Sequence, residues 1–116
     1  MLKIEMEFKK GIFFIRLEGL LTKSNVNKFI NECVPVILKH GIRYVVINLD
    51  KVNAIDLKGI EALMEINDIV RENKGRTTLC SLTNKEVKEI IYEYDNNNSF
   101  FETSNELTAL GVMKLW

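Results

Sequence analysis

The segment Tyr44-Val-Val-Ile-Asn-Leu49 is the feature that most constrains the fold of this 116-residue chain. It is a nearly unbroken apolar run rich in β-branched residues, and His40-Gly41 precedes it as a helix-ending signal. A strand that is apolar at successive positions must bury both of its faces, which is typical of a central strand in a parallel sheet. The run therefore predicts an α/β domain with helices packed on a sheet.

The N-terminal segment predicts an antiparallel hairpin. Apolar and charged residues alternate, as in a strand with one apolar face, and the apolar positions are Leu2, Ile4, Met6 and Phe8. Lys10-Gly11 supplies a turn. The following run alternates in the same way, with Phe13, Ile15 and Leu17 on one side and Arg16 and Glu18 on the other. We expect this second strand to end at Gly19.

Helical spacing follows the hairpin. Apolar residues recur at the i, i+3, i+4, i+7 positions of one helix face, namely Val26, Phe29, Ile30, Cys33 and Ile37. Ser24 or Thr22 can cap this helix at its N-terminus. Pro35, the only proline of the chain, lies inside the pattern and predicts a kink or an early break, because proline removes a backbone hydrogen bond.

A second long helix is predicted after the central strand. Residues 50–54 are polar and predict a short loop, and Asp56 stands at the N-cap position. An apolar stripe then continues to Val70, and Lys74-Gly75 supplies C-terminal signals.

The C-terminal third predicts one more strand, a short helix and a final strand and helix. Residues 77–82 are β-prone, residues 95–98 predict a turn, and residues 99–101 predict a short strand. Thr83 with Glu86 and Thr103 with Glu106 form two capping boxes, each opening a helix. The predicted order is β-β-α-β-α-β-α-β-α. Because successive crossovers return the chain to one sheet, we expect parallel inner strands beside the antiparallel hairpin, in a single domain spanning residues 1–116.

Composition and charge exclude several classes of function. The chain has 16 Lys plus Arg and 16 Asp plus Glu, so it lacks the basic excess that nucleic-acid binding requires. Its N-terminus has no apolar stretch of the roughly 7 to 15 residues of a signal peptide, and no segment reaches the roughly 20 apolar residues of a membrane span. We expect a cytoplasmic protein without membrane insertion, in which Cys33 and Cys80 are reduced and mostly buried.

Residues with catalytic potential are scarce. His40 is the only imidazole, and its place at the end of a predicted helix suggests a cation that favours the helix dipole. One His and two distant Cys cannot make a plausible metal site, and the glycine-rich phosphate-binding motifs are missing. The sequence therefore predicts no enzyme, with no catalytic residue, no metal site and no cofactor.

The segment between the central strand and the second long helix resembles a known family. A strand ending in an apolar-Asn-Leu run, a short loop and then Asp56-Leu57-Lys58-Gly59 at a helix start is similar to the STAS domain family, found in bacterial anti-sigma factor antagonists. The resemblance covers essentially the whole chain. It includes the Arg16-Leu-Glu-Gly19 segment of the hairpin and the closing Ser-x-Glu-Leu-x-Ala-Leu run at residues 104–110.

The resemblance implies a non-enzymatic regulatory module that binds a protein partner. A typical member binds an anti-sigma factor that is also a serine kinase, and the kinase phosphorylates the second serine of Asp-Ser-Ser-Gly. Here Lys58 holds that position and Leu57 holds the position of the first serine. A helix N-terminus favours an anion, so Lys58 places a permanent cation where relatives carry a switchable negative charge. Lys58 is either a contact for an acidic partner surface or a solvated residue.

The expected partner-binding surface also includes the end of the hairpin. Members of the family often carry an acidic residue shortly after the glycine, whereas this chain reads Gly19-Leu20-Leu21-Thr22. We expect Asp56 to organise the loop, Leu57 and Lys58 to contact the partner, and Gly59 to allow close approach. Thr22, Ser24 and Asn25 would form the neighbouring rim. Leu57 is compatible with either exposure or a place in the core.

Alternatives remain open at the level of the sequence. STAS domains also serve as scaffolds in stress-signalling assemblies and as accessory subunits of lipid-transport ATPases, and neither role needs the serine. Phosphorylation could instead fall on another hydroxyl, with Thr22 and Ser24 nearest the expected surface. We expect a monomer or a weak dimer, and a protein partner for which an anti-sigma factor of the serine-kinase type is the candidate.

Overall fold

The structure, a computed structural model, describes residues 1–95 and 100–114, and for Phe101 and Lys114 only the backbone. Most of the predicted turn at residues 95–98, the first residue of the predicted final strand and the last two residues of the chain lie outside this part. The described residues form five strands and four helices: β1 (Leu2–Lys9), β2 (Ile12–Leu21), α1 (Val26–His40), β3 (Tyr44–Ile55), α2 (Leu57–Glu72), β4 (Arg76–Cys80), α3 (Lys85–Tyr94), β5 (Phe101–Thr103) and α4 (Glu106–Lys114). This order confirms the predicted one.

The strands form one mixed sheet in the order β1-β2-β3-β4-β5. β1 pairs antiparallel with β2, and each of the next three pairs is parallel. The two-residue turn at Lys10-Gly11 joins β1 to β2, and both residues have positive φ, as a hairpin turn of this length requires. The mixed sheet with its opening hairpin is therefore confirmed.

Helices cover both faces of the sheet. α1, α2 and α3 pack on the face that carries Val45 and Ile47 of the central strand, and α4 packs on the face that carries Val46. All three of these side chains are fully buried. The prediction that the central strand is buried on both faces is confirmed.

Two strands are longer than predicted. β2 continues past Gly19 to Leu21, and β3 continues to Ile55, so the loop predicted at residues 50–54 is wrong. Parallel pairing between β2 and β3 extends the hydrogen-bonded ladder over polar residues, and this pairing outweighs their weak strand preference. Gly19 does not end its strand. A Cβ there would lie 2.4 Å from the Met1 carbonyl oxygen, so glycine is needed for close approach within the sheet.

Of the two outcomes predicted at Pro35, a kink or an early break, the early break does not occur, because helix α1 continues from Val26 to His40. Residues Phe29, Cys33 and Ile37 are buried on both sides of the proline, and their packing holds the helix together despite the lost hydrogen bond. The N-cap prediction is also wrong for α1. Asn25 occupies that position, and no side chain caps the helix.

The N-caps predicted for α3 and α4, Thr83 and Thr103, are wrong. The caps are asparagines that follow them, one residue later in α3 and two residues later in α4. The Asn84 side chain accepts a hydrogen bond from the backbone N–H three residues on, at 3.1 Å. Asn105 does the same at the start of α4, at 2.8 Å. Asparagine is as good an N-cap as threonine or better, and its position next to the helix decides between them.

The apolar face predicted for β1 is confirmed only at its beginning. Leu2 is buried and Ile4 is half-buried, whereas Met6 and Phe8 are 38% and 61% exposed. β1 lies at the edge of the sheet, and of its four apolar side chains only Leu2 and Ile4 pack in the core. Cys33 and Cys80 are free and buried, as predicted. No helix in the described ranges is long and apolar enough to cross a lipid bilayer.

Candidate functional site

Asp56 connects the start of α2 to the end of β2. Its Oδ1 atom accepts a hydrogen bond from the Gly59 N–H at 2.9 Å, which confirms the predicted N-cap. Its Oδ2 atom accepts one from the Lys23 N–H, also at 2.9 Å. The backbone N–H of Asp56 donates to the Leu21 carbonyl. One carboxylate therefore holds together two segments that lie 33 residues apart in sequence.

Gly59 allows α2 to begin in direct contact with β2. A Cβ at this position would lie 2.1 Å from the Leu21 carbonyl oxygen and 2.7 Å from Cγ1 of Ile55. No side chain fits at these distances, because a backbone carbonyl cannot move away without disturbing its strand. Gly59 is buried, so it shapes this surface from beneath.

Leu57 and Lys58 project from the first turn of α2. Leu57 is 47% exposed, so of the two alternatives the structure places it at the surface. The Lys58 side chain is 58% exposed, and its Nζ lies 3.3 Å from Oε1 of Glu61 on the same helix. The ion pair of Lys58 is formed with Glu61, whereas the Asp56 carboxylate binds the backbone N–H groups of Gly59 and Lys23.

The loop before α1 lies beside this turn. The Thr22 N–H donates to Oδ1 of Asn25 at 2.8 Å, and the hydroxyls of Thr22 and Ser24 are 3.2 Å apart. Thr22 is half-buried and Ser24 is exposed, whereas Asn25 is buried and closes the loop from inside. Of the three predicted rim residues, two therefore reach the surface.

Lys23 is a residue that the sequence analysis missed. It is exposed, and its backbone N–H is bound to Asp56, so the loop holds a second lysine next to the start of α2. Its position between Thr22 and Ser24 is visible in the sequence, but its closeness to Asp56 exists only in the folded chain. We call the group of Leu20, Thr22, Lys23, Ser24, Leu57 and Lys58 the α2 surface; all of them are exposed except the half-buried Thr22.

A second polar cluster, also missed, lies on the opposite face of the sheet. Glu106 of α4 accepts hydrogen bonds from Arg16 at 2.8 and 2.9 Å and from Asn48 at 2.8 Å. Arg16 also contacts the carboxylates of Glu5 at 3.1 Å and Glu7 at 2.9 Å. These hydrogen bonds, those of Arg16 first, lower the pKa of Glu106. The cluster fixes α4 to the sheet and uses Glu106 for this contact rather than in a capping box.

The two thiols and the single imidazole take no part in the α2 surface. Burial raises the pKa of the Cys33 thiol to about 12 and that of Cys80 to about 11, so both are protonated at neutral pH. His40 lies in the last turn of α1, before β3, whereas α2 begins after β3. Within the described ranges, no three His, Cys, Asp or Glu side chains come together as a metal site would require. The α2 surface offers cationic, hydroxyl and apolar groups on a rigid base.

Comparison with known proteins identifies the fold. The model of the STAS domain matches residues 3–109. An anti-sigma factor antagonist from Mycobacterium paratuberculosis superposes with a TM-score of 0.85 at 12% identity, over 98% of this chain and 95% of that one. The anti-sigma factor antagonist SpoIIAA in its unphosphorylated form gives 0.74 at 16% identity, over 97% and 98%.

A third solved structure is RsbS of Moorella thermoacetica with glutamate in place of a serine, with a TM-score of 0.80 at 15% identity, over 97% of this chain and 95% of that one. Identities this low establish a shared architecture and leave partners and activity to be argued from this chain's own residues. The family match over residues 3–109 and the mixed sheet with its four helices agree. This chain belongs to the STAS domain family.

Proposed function

We propose that this protein is a non-enzymatic regulatory module of the anti-sigma factor antagonist type, which binds a protein partner through the α2 surface. The observation that carries the proposal is the first turn of α2, where Leu57 and Lys58 are exposed on a base that Asp56 and Gly59 hold rigid. An exposed apolar side chain beside a lysine suits contact with another protein, because apolar burial supplies affinity and charge supplies orientation.

The kinds of protein that share this fold support the assignment. Two of the structurally similar proteins are anti-sigma factor antagonists, and one of these was solved in an unphosphorylated form. Lys58 stands where the family motif has its phosphorylated serine. We therefore propose that the partner is an anti-sigma factor, with one of the serine-kinase type as the candidate, and that this chain is not switched by phosphorylation at the family position.

Electrostatics specifies the kind of surface that the partner should present. Lys23 and Lys58 are both exposed at the α2 surface, and Glu61 balances only one of them. A partner surface with a carboxylate near Lys58 would compete with Glu61 for the same ammonium group. Exchanging one exposed ion pair for another costs little, so the charge would guide association and the apolar contacts would hold the complex.

Lys58→Glu is a clean test because it should not unfold the protein. The change removes the ion pair with Glu61 and places two carboxylates at i, i+3, and these two losses together cost about 0.4 to 1 kcal/mol. A negative charge in the first turn of a helix stabilises the helix by about 0.3 to 1 kcal/mol. The two effects nearly cancel, so a change in binding would report on the interface itself.

The experiment measures binding of the purified protein to kinase-type anti-sigma factors from its own genome by calorimetry. We expect one of them to bind, and Lys58→Glu to weaken it about tenfold, as the loss of one interfacial charge contact would. Lys39→Glu is the matched control, because it makes the same charge change at the other end of the molecule. If no candidate binds, and Lys58→Glu alters no association in a lysate pull-down, the proposal is wrong.

A kinase assay tests the missing switch. We expect no phosphate on the natural protein when its partner kinase and ATP are present, and phosphate on the Lys58→Ser variant, which restores a hydroxyl to the family position. Mass spectrometry locates any phosphate. Phosphate on Thr22 or Ser24 of the natural protein would show that the switch has moved along the α2 surface and would refute this part of the proposal.

A further inference from the structure

The outer edge of β1 is occupied by a side chain at its first residue, Leu2, and is not paired with another strand of the described residues. The Leu20 N–H donates to the Met1 carbonyl at 3.1 Å, so the carbonyl of Met1 points toward β2. Because these groups alternate along an antiparallel strand without a bulge, the N–H and C=O groups of Leu2, Ile4, Met6 and Phe8 point outward. Lys28 of α1 confirms this direction, since its Nζ donates to the outward carbonyl of Leu2 at 2.7 Å.

No strand in the described part of the chain pairs with this edge, because β1 is the first strand of the sheet. Lys28 blocks the edge at Leu2. At the other end, next to the hairpin turn, the apolar side chains of Met6 and Phe8 are exposed. An uncovered strand edge with exposed apolar residues is a template for pairing with another strand.

The other face of β1 carries charges of both signs, in the order Lys3, Glu5, Glu7, Lys9. Residues directly opposite one another in an antiparallel pair contact across the strands, and opposite charges there are favourable. When this strand pairs with a copy of itself, the register decides which charges lie opposite one another. The favourable register is the one that opposes unlike charges and also pairs the outward backbone groups.

We propose that β1 pairs antiparallel with β1 of a second copy of this chain, with the two-fold axis at Glu7. This register places Met6 opposite Phe8 of the second copy and Glu5 opposite Lys9 of the second copy. Because of the two-fold axis, each of these contacts occurs on both sides of Glu7. The outward backbone groups of Met6 and Phe8 hydrogen-bond across the axis, and the apolar side chains that are exposed in the monomer cover one another. The Leu2 carbonyl is not needed.

The neighbouring symmetric registers are less favourable. An axis at Phe8 places Glu7 opposite Lys9, but Met6 would then face Lys10 of the hairpin turn, so only Phe8 could pair its outward backbone groups within the strand. An axis at Met6 places Lys3 against Lys9 and Glu5 against Glu7, which are pairs of like charge. An axis at Glu5 requires the backbone of Leu2, whose carbonyl Lys28 already occupies. The axis at Glu7 brings one like pair together, Glu7 with its own copy. Each of these carboxylates lies 2.9 Å from an Arg16 guanidinium, which also binds Glu5 and Glu106 and so offsets the repulsion in part.

The resulting dimer is weak and leaves the α2 surface open. Its contact involves five residues of each strand, far less than the roughly 800 Å² per partner of a standard interface. The free end of β1 lies at the hairpin turn, whereas the α2 surface lies beside the opposite end of β2. Self-association and partner binding are therefore independent, and either can fail without the other.

Single cysteine substitutions test the register. Glu7 faces its own copy as a non-hydrogen-bonded pair, with Cα atoms about 4.5 Å apart, which lies within the range of a disulfide. Glu7→Cys should therefore form a covalent dimer on mild oxidation. Glu5→Cys and Lys9→Cys are matched controls, because each would be displaced from its copy by four residues, about 13 Å along the strand. Cys33 and Cys80 are buried and do not compete.

Sedimentation of the unmodified protein over a range of concentrations supplies the second measurement. We expect a monomer–dimer equilibrium whose dissociation constant increases at least tenfold in Phe8→Ser. Leu107→Ser, which alters an exposed leucine on α4, should leave it unchanged. Monomers at every concentration, an equal effect of both serine variants, or cross-linking of Glu5→Cys as fast as Glu7→Cys would each overturn the proposal.

Discussion

Replacing Gly59 by alanine tests whether α2 must begin in direct contact with the end of β2. The added methyl carbon would lie 2.1 Å from the Leu21 carbonyl oxygen and 2.7 Å from Cγ1 of Ile55. The carbonyl belongs to the end of β2, which pairs with β3 at Ile55, and it accepts a hydrogen bond from the Asp56 N–H, so we expect the helix start to move outward. This movement pulls Gly59 and Asp56 apart from the loop before α1, which Asp56 also binds.

The expected cost follows from two opposing terms. Overpacking against a rigid backbone costs typically about 1 to 3 kcal/mol, and a contact as short as that with Leu21 belongs at the upper end. Alanine has a higher helix propensity than glycine, which stabilises the variant by up to about 1 kcal/mol. The free energy of unfolding should therefore decrease by about 2 kcal/mol, which corresponds to a fall in Tm of about 8 °C for a domain of this size.

Gly111→Ala is the matched control for this measurement. Gly111 also lies in a helix, but a Cβ there would meet no atom within 4 Å. The same substitution should raise Tm by a few degrees, because only the propensity term remains. Calorimetry or urea unfolding measures both variants. If Gly59→Ala changes Tm as little as Gly111→Ala does, the close contact between α2 and β2 does not position the α2 surface, and the reasoning is wrong.

Three further predictions concern capping, pH and thiol chemistry. Asp56→Ala should destabilise the fold by about 2 kcal/mol, more than Asn84→Ala at about 1, because Asp56 also binds the loop before α1; urea unfolding of both variants compares them. Folding lowers the pKa of Glu106, so the ionised carboxylate adds to the free energy of unfolding at pH values above the pKa of the unfolded chain. This contribution is lost as the pH falls through the lower pKa of the folded protein. The free energy of unfolding should therefore decrease across this acid range, and Glu106→Gln should make the decrease smaller. Cys33 and Cys80 should react with a disulfide reagent at pH 8 only after unfolding, because burial raises both pKa values; rapid native reaction would contradict this.

Local patterns predicted the architecture well. The alternation in β1 and β2, the apolar run of β3 and the helical stripes of α1 and α2 each depend on neighbours in sequence, and all five elements are present. Asp56 was identified as an N-cap for the same reason, because capping joins residues only three apart. The family resemblance rests on these short-range features together with their order.

Errors arose wherever a distant segment decided the outcome. The polar end of β3 reads as a loop, yet it is a strand because β2 pairs beside it. Pro35 predicted a kink or an early break, yet α1 continues to His40 because its buried stripe packs on the sheet. Glu106 reads as part of a capping box, yet it binds Arg16, which lies 90 residues away.

The sequence by itself determined the order of the elements, the mixed sheet, the family and the presence of Lys58 at the start of α2. These follow from periodicity, turn chemistry and capping, which act over a few residues. Only the tertiary structure decided that Lys23 stands beside Asp56, that Gly59 lies beneath the α2 surface, and that one end of β1 is left uncovered. Contacts between segments far apart in the chain depend on how the sheet and helices pack, and no local pattern encodes that packing.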